Sequence, residues 1–176
     1  MMNNIKVIFL DIDGVLNSEK LVDKLYNSGI KEWSEDDVYN FIDEEIINKL
    51  VDFCNEYKVK IVITSSWRHF YFDDTIKYFQ EKRNKKLHPL IPYIIGQTPR
   101  LYKEKENGGS EQLCRGDEIQ YYIETYHIEN YVILDDDSDM LDSQLEHFVQ
   151  TDYKYGLLDK HFEQMKNILK LYLIKK

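Results

Sequence analysis

Cysteine is scarce in this chain: Cys54 and Cys114 are the only two, far apart and without CxxC spacing. That excludes a disulfide framework and a cysteine-based zinc site, and it fits a reducing, cytoplasmic location. Long apolar runs are missing as well. The stretch nearest the N-terminus, residues 5 to 10, is broken by Lys6 and is too short for a secretory core or a membrane span, so a soluble, unprocessed chain with no membrane partner is expected. Basic residues are in deficit, 23 against 32 acidic ones, for a formal charge of -9. Such a surface repels polyanions at long range and disfavours non-specific nucleic-acid binding, while leaving room for a local site. The histidines, His69, His88, His127, His147 and His161, show no ligand spacing and read as structural or exposed. Internal repeats, low-complexity tracts and linkers are lacking too. With 176 residues, 43% of them hydrophobic, a single domain over 1–176 is expected, with no obligate protein partner evident.

What the chain does contain is an alternation of apolar runs and amphipathic stretches. "IKVIFL" (5–10) is apolar without period-2 alternation, as in a strand buried on both faces. A helix is predicted over 43–57, with Ile46, Ile47, Leu50, Val51 and Cys54 on one face, running into a second strand over 60–66. "DDTIKYFQEKRNKK" predicts a helix capped near Asp73 or Asp74, its basic "KRNKK" end turned away from the strand ends. "LIPYIIG" (90–96) predicts a third strand at an edge, and residues 97–116 a long loop. A helix over "DEIQYYIETYHI", a strand at "YVILDDDSD", a short strand at "HFVQT" and a C-terminal helix complete the pattern. In that last helix Leu158, Phe162, Met165, Leu169 and Tyr172 form the core stripe. The expected fold is α/β, a Rossmann-like parallel sheet of about five strands with helices on both faces.

In such sheets ligands bind beyond the carboxyl ends of the strands. The first strand ends in Asp11 and Asp13, the second in Thr64, Ser65 and Ser66, the fourth in Asp135, Asp136 and Asp137, with Asp139 just beyond. Carboxylates gathered on one rim repel one another unless a cation lies among them, and an all-oxygen donor set suits Mg2+. Any one of these aspartates could be a turn former or a helix cap. Three apolar runs that each end in such residues point to a site.

"FLDIDGVLN" resembles the first motif of the haloacid dehalogenase (HAD) superfamily, "IVITSS" its second and "YVILDD" its fourth. Arg115 is similar to the lone basic residue of the third. "SSWR", "GQTPR", "RGDEI" and "FVQTD" followed by "GL" further resemble a small HAD branch that includes phosphatase-like modules of RNA-repair proteins. The resemblance implies a magnesium-dependent phosphohydrolase, a phosphoric monoester hydrolase working through an aspartyl-phosphate. Asp11 would be its nucleophile and Asp13 its acid and base. Mg2+ would be held by Asp11, the backbone carbonyl of Asp13, and Asp135 or Asp136, with Asp137 and Asp139 as less favoured acids. Thr64 or Ser65, together with Arg115, would bind the phosphate, and Trp67 and Arg68 either line the site or serve packing. Arg100, Lys103 and Lys105 follow the third strand on the substrate side.

Residues 15–42 and 97–114 are too short for a full cap domain, so the site is expected to be open. That admits a phosphorylated substrate as large as a nucleic-acid end or a protein, and also a nucleotide. A receiver-like signalling domain would need an Asp after the third strand, where "IIGQT" has none. A non-catalytic binding domain would not need Asp13 beside Asp11, and a dehalogenase would not use the second aspartate.

Overall fold

The computed structural model describes residues 5–29 and 41–171 of the chain. In chain order the elements are β1 (Lys6–Leu10), α1 (Glu19–Asn27), α2 (Glu44–Tyr57), β2 (Val59–Ile63) and α3 (Phe72–Gln80). A 3-10 run (Lys82–Tyr93) leads into β3 (Ile94–Gln97), and β4 (Tyr102–Glu104) and β5 (Ser110–Gln112) follow. Then come α4 (Arg115–Tyr126), β6 (Asn130–Asp135), a short 3-10 turn (Asp142–His147), β7 (Phe148–Gln150) and α5 (Asp159–Ile168). Five strands form one sheet in the order β3-β2-β1-β6-β7, every neighbouring pair parallel, so the chain has the Rossmann-like α/β architecture. The first strand in sequence lies in the middle.

Its uniformly apolar sequence follows from that position, because a central strand has two faces to bury. Ile8 and Leu10, with Ile61, Ile63, Val132 and Leu134, point to the face packed by Leu50 and Phe53 of α2 and by Phe162 and Met165 of α5. Val7, Phe9, Val62, Tyr131 and Ile133 point to the other face, covered by Ile119 and Tyr122 of α4. Phe9 meets both Tyr122 and Tyr131 edge-on, with centroids 5.8 Å apart in each case. Each fully buried side chain of this size contributes about 1.5–3 kcal/mol, so the two faces hold the strand ends rigidly. α2 starts where the Asp43 carboxylate accepts the Glu45 amide at 2.9 Å, and it stops at Lys58 in the left-handed conformation, φ 57°.

Several boundaries differ from those expected. α3 begins at Phe72 with no side-chain cap, so Asp73 and Asp74 sit in its first turn, and it ends at Gln80. "KRNKK" belongs instead to the 3-10 run, where Asn84 is buried with its amide on the Tyr78 carbonyl and Lys86 reaches the Ile42 carbonyl at 3.1 Å. Pro89 and Pro92 cannot donate to a strand ladder, so β3 starts only at Ile94. The expected loop 97–116 contains the antiparallel β4–β5 hairpin, fully exposed and turned through Gly108 and Gly109, whose φ values are 81° and 95°. α5 is shorter than expected: Phe162, Met165 and Leu169 are buried, but Leu158 precedes the helix and is exposed, and Tyr172 lies outside the described residues. Neither the connection holding α1 nor the one holding the hairpin contains a cap domain among the described residues. No described helix is long and apolar enough to cross a membrane.

Candidate functional site

Backbone pairing continues one step beyond the strands. The Asp11 amide donates to the Leu134 carbonyl at 3.0 Å, the Thr64 amide to Leu10 at 2.9 Å, and the Thr151 amide to Asp135 at 2.9 Å. Side chains therefore keep alternating through these residues. Asp11 follows Phe9, Thr64 follows Val62 and Asp135 follows Ile133, all on the face covered by α4. α4 starts on that face with Arg115 as its first residue, two positions earlier than expected. Its amide donates to the Asp139 carboxylate at 3.0 Å, and the Gly116 amide to the Asp139 carbonyl at 3.1 Å. Residues distant in sequence thus converge because strand alternation and one helix start agree.

The Arg115 guanidinium lies between two carboxylates, 3.7 Å from Asp11 Oδ1 and 3.8 Å from Asp135 Oδ2. Neither of these buried oxygens accepts a hydrogen bond from a described residue. Burial pushes the Asp11 carboxyl up to about 6 against the pull of Arg115, and burial together with the nearby Asp11 charge pushes Asp135 up to about 7. Burial also raises Asp136. Carboxylate oxygens of Asp11, Asp135 and Asp136 lie within 4.8 Å of one another. Hard oxygen donors with unspent charge at that spacing fit a divalent cation such as Mg2+. The Asp13 carboxylate is not among them.

Asp13 is held instead by hydrogen bonds. Asn17 Nδ2 donates to its Oδ1 at 2.9 Å, and Trp67 Nε1 and Ser66 Oγ donate to its Oδ2 at 2.9 and 3.4 Å. Gly14 allows the chain to turn away directly after the two acids: its φ is 66°, its amide donates to Asn17 Oδ1 at 2.8 Å, and a Cβ there would lie 2.3 Å from Asp136 Cγ. Only glycine lets the backbone lie against Asp136.

Of the two hydroxyls left open by the sequence, Ser65 lies beside Asp11, where it favours the charged carboxylate, and accepts the Trp67 amide at 3.2 Å. Thr64 is buried and its Oγ1 has no described partner. Arg68 packs beneath the carboxylate cluster and does not line it. It donates to the Thr64 and Ser65 carbonyls and pairs with Glu118, both side chains nearly inaccessible. Asp137 and Asp139 are exposed and remain outside the carboxylate cluster, Asp139 serving the start of α4. On the hairpin, Lys103 pairs with Glu111 at 3.5 Å and Lys105 is exposed. Arg100 is fixed on the Ser66 and Arg68 carbonyls at 3.0 and 3.3 Å. His147 stacks on Tyr131 and His161 accepts the Leu158 amide at 2.9 Å, both structural roles. Sequence reasoning missed Asn17 as an anchor of Asp13 and the contact between Gly14 and Asp136. The polar residue four positions after Asp13, in an otherwise apolar turn, was the available signal for the first.

No protein of curated function matches the chain. A family model described as "HAD domain in Swiss Army Knife RNA repair proteins" matches residues 7–162, a span that contains Asp11, Asp13, Thr64, Arg115, Asp135 and Asp136. With its five-stranded parallel sheet and that match over most of its length, the chain belongs to this branch of the HAD superfamily.

Proposed function

We propose that the chain is a magnesium-dependent phosphohydrolase that works through an aspartyl-phosphate and acts on the phosphate of a nucleotide or nucleic-acid end. The observation that carries this reading is the pair of buried oxygens on Asp11 and Asp135, without a hydrogen bond among the described residues, that flank the Arg115 guanidinium. Charges left unmatched in a buried place are costly, and a phosphoryl group with its cation would match them.

In this reading Asp11 attacks phosphorus in line while Ser65 fixes the orientation of its carboxylate. Asp13, oriented by Asn17, Trp67 and Ser66, delivers a proton to the leaving oxygen and later removes one from the attacking water. Thr64 Oγ1 is the unspent donor for a phosphoryl oxygen, and Arg115 neutralises the charge that builds there. Asp11, Asp135 and Asp136, with the Asp13 carbonyl, would hold Mg2+, which supplies screening between the anionic nucleophile and the anionic phosphate. The occurrence of the matched family in RNA repair proteins supports a nucleic-acid end over a phosphoprotein.

The test is a phosphatase screen over p-nitrophenyl phosphate, nucleotides, 3′- and 5′-phosphorylated oligonucleotides and phosphopeptides, each with magnesium and with EDTA. Asp11→Asn is expected to lower kcat at least about a thousandfold. Turnover unaffected by that substitution or by EDTA would overturn the assignment, and a preference for phosphopeptides would overturn the substrate class.

A further inference from the structure

Beside the phosphoryl site, the loops after β2 and β3 enclose a second cavity of about 250 Å³, lined by Arg68, Phe70, Thr98, Pro99, Arg100 and Tyr102 among others. Its rim is aromatic and open. Phe70 is 86% exposed and Tyr102 56% exposed, and Tyr71 packs edge-on against Phe70 with centroids 4.9 Å apart. Behind that rim the lining residues Thr98 and Arg68 are themselves buried, and Arg100 is exposed. The cavity is tied directly to the reacting groups. Arg100 Nη2 donates to the Ser66 carbonyl at 3.0 Å, and Ser66 Oγ donates to Asp13 at 3.4 Å.

We infer that this cavity receives the unpaired nucleobase next to the phosphate being removed, so that the enzyme reads a single-stranded nucleic-acid end. The inference rests on the function proposed above and specifies its substrate. Two features of the cavity match a base and its sugar-phosphate. Exposed aromatic faces stack bases of any sequence. Arg100 is held by two backbone carbonyls yet exposed, which leaves its cation facing the neighbouring phosphodiester on a surface that is otherwise acidic. A duplex end would keep its terminal base stacked and paired, so it should be a poorer substrate than a single strand.

The experiment compares kcat/KM for single-stranded oligonucleotides phosphorylated at the 3′ or the 5′ end with that for p-nitrophenyl phosphate, in wild type, Phe70→Ala, Tyr102→Ala and Phe70→Trp. The ratio of oligonucleotide to small ester is expected to fall about tenfold in each alanine variant and to be retained in Phe70→Trp, with the loss in KM. With an abasic residue at the phosphorylated end, wild type and Phe70→Ala should become equal. An unchanged ratio, or an equal loss on the abasic substrate, would overturn the subsite, and so would a free mononucleotide that shows the full effect when the oligonucleotide does not. If no phosphate ester is turned over, the function proposed above fails, and the subsite is then decided by fluorescence anisotropy of the same oligonucleotides. About tenfold weaker binding by Phe70→Ala supports the subsite, and equal binding removes it.

Discussion

At the scale of single residues, the site is a set of acids held away from their ordinary ionisation. Asp11 and Asp135 keep a proton up to about pH 6 and about pH 7 in the folded protein, against 3.8 for a free carboxyl. The folded state therefore binds more protons than the unfolded state between about pH 4 and about pH 7. Stability is full below that window and is lost as pH rises through it. The magnesium-free protein should accordingly melt at a lower temperature at about pH 8 than at about pH 5, with the slope reduced in Asp135→Asn. Added magnesium should raise Tm more at the higher pH, where it no longer competes with protons. Scanning calorimetry with and without EDTA checks this, and a flat pH profile would count against a shared buried charge.

Gly14 offers a sharper probe of the same cluster. Gly14→Ala places a Cβ where Asp136 Cγ now lies 2.3 Å away, at a backbone φ of 66°. The strained backbone should cost about 1–2 kcal/mol, and displacement of Asp136 should weaken magnesium binding about tenfold in a calorimetric titration. Wild-type affinity in that variant would show that Asp136 is not needed for the cation.

At the scale of elements, one buried ion pair links the two halves of the phosphate site. Arg68 holds the carbonyls of Thr64 and Ser65 with one nitrogen and Glu118 with another, and Glu118 lies one turn beyond Arg115 on α4. Glu118 also accepts the Leu101 amide at 3.3 Å and the Gln112 side-chain amide at 3.1 Å, so the hairpin hangs from the same carboxylate. Arg68→Met, which leaves Glu118 buried and uncompensated, should lose about 3–5 kcal/mol in urea denaturation. Arg68→Met combined with Glu118→Met should lose less than the two single losses added. Strict additivity would mean that the pair is not coupled in the folded protein.

The same scale explains what could be read in advance. Central strands were legible because burial on two faces leaves an unbroken apolar run, and the acids after them because a parallel sheet presents its carboxyl ends together. α1 was not foreseen although its sequence carries the signal: Leu21, Val22 and Leu25 recur at helical spacing behind the capping Ser18, but the stripe is short and none of its residues is fully buried. The hairpin was hidden because all six of its strand residues are exposed and polar enough to look like loop. The partners of Asp13 depend on a tertiary meeting of Trp67 with a turn fifty-four positions earlier, which no local pattern encodes.

At the scale of the whole molecule, a chain of charge -9 would have to hold the proposed anionic substrate through local cations. Long-range repulsion should make a single strand of about 20 nucleotides a poorer substrate, by KM, than one of about 3 at low ionic strength. The gap should close as salt shortens the Debye length to about 8–10 Å. Steady-state kinetics over a salt series tests this, and a long strand that binds better at low salt would point to a basic path outside the described residues.

The position of β1 has a further consequence, for synthesis. Asp11 is made well before β6, which begins only at Asn130, yet its strand lies between β2 and β6. Throughout the intervening translation Asp11 belongs to a strand with one flank unpaired, and an incomplete chain can hold neither Asp135 nor Arg115 against it. The cluster of Asp11, Arg115 and Asp135 therefore comes together all at once and late, and any chemistry that needs the three side by side waits for β6 to join the sheet.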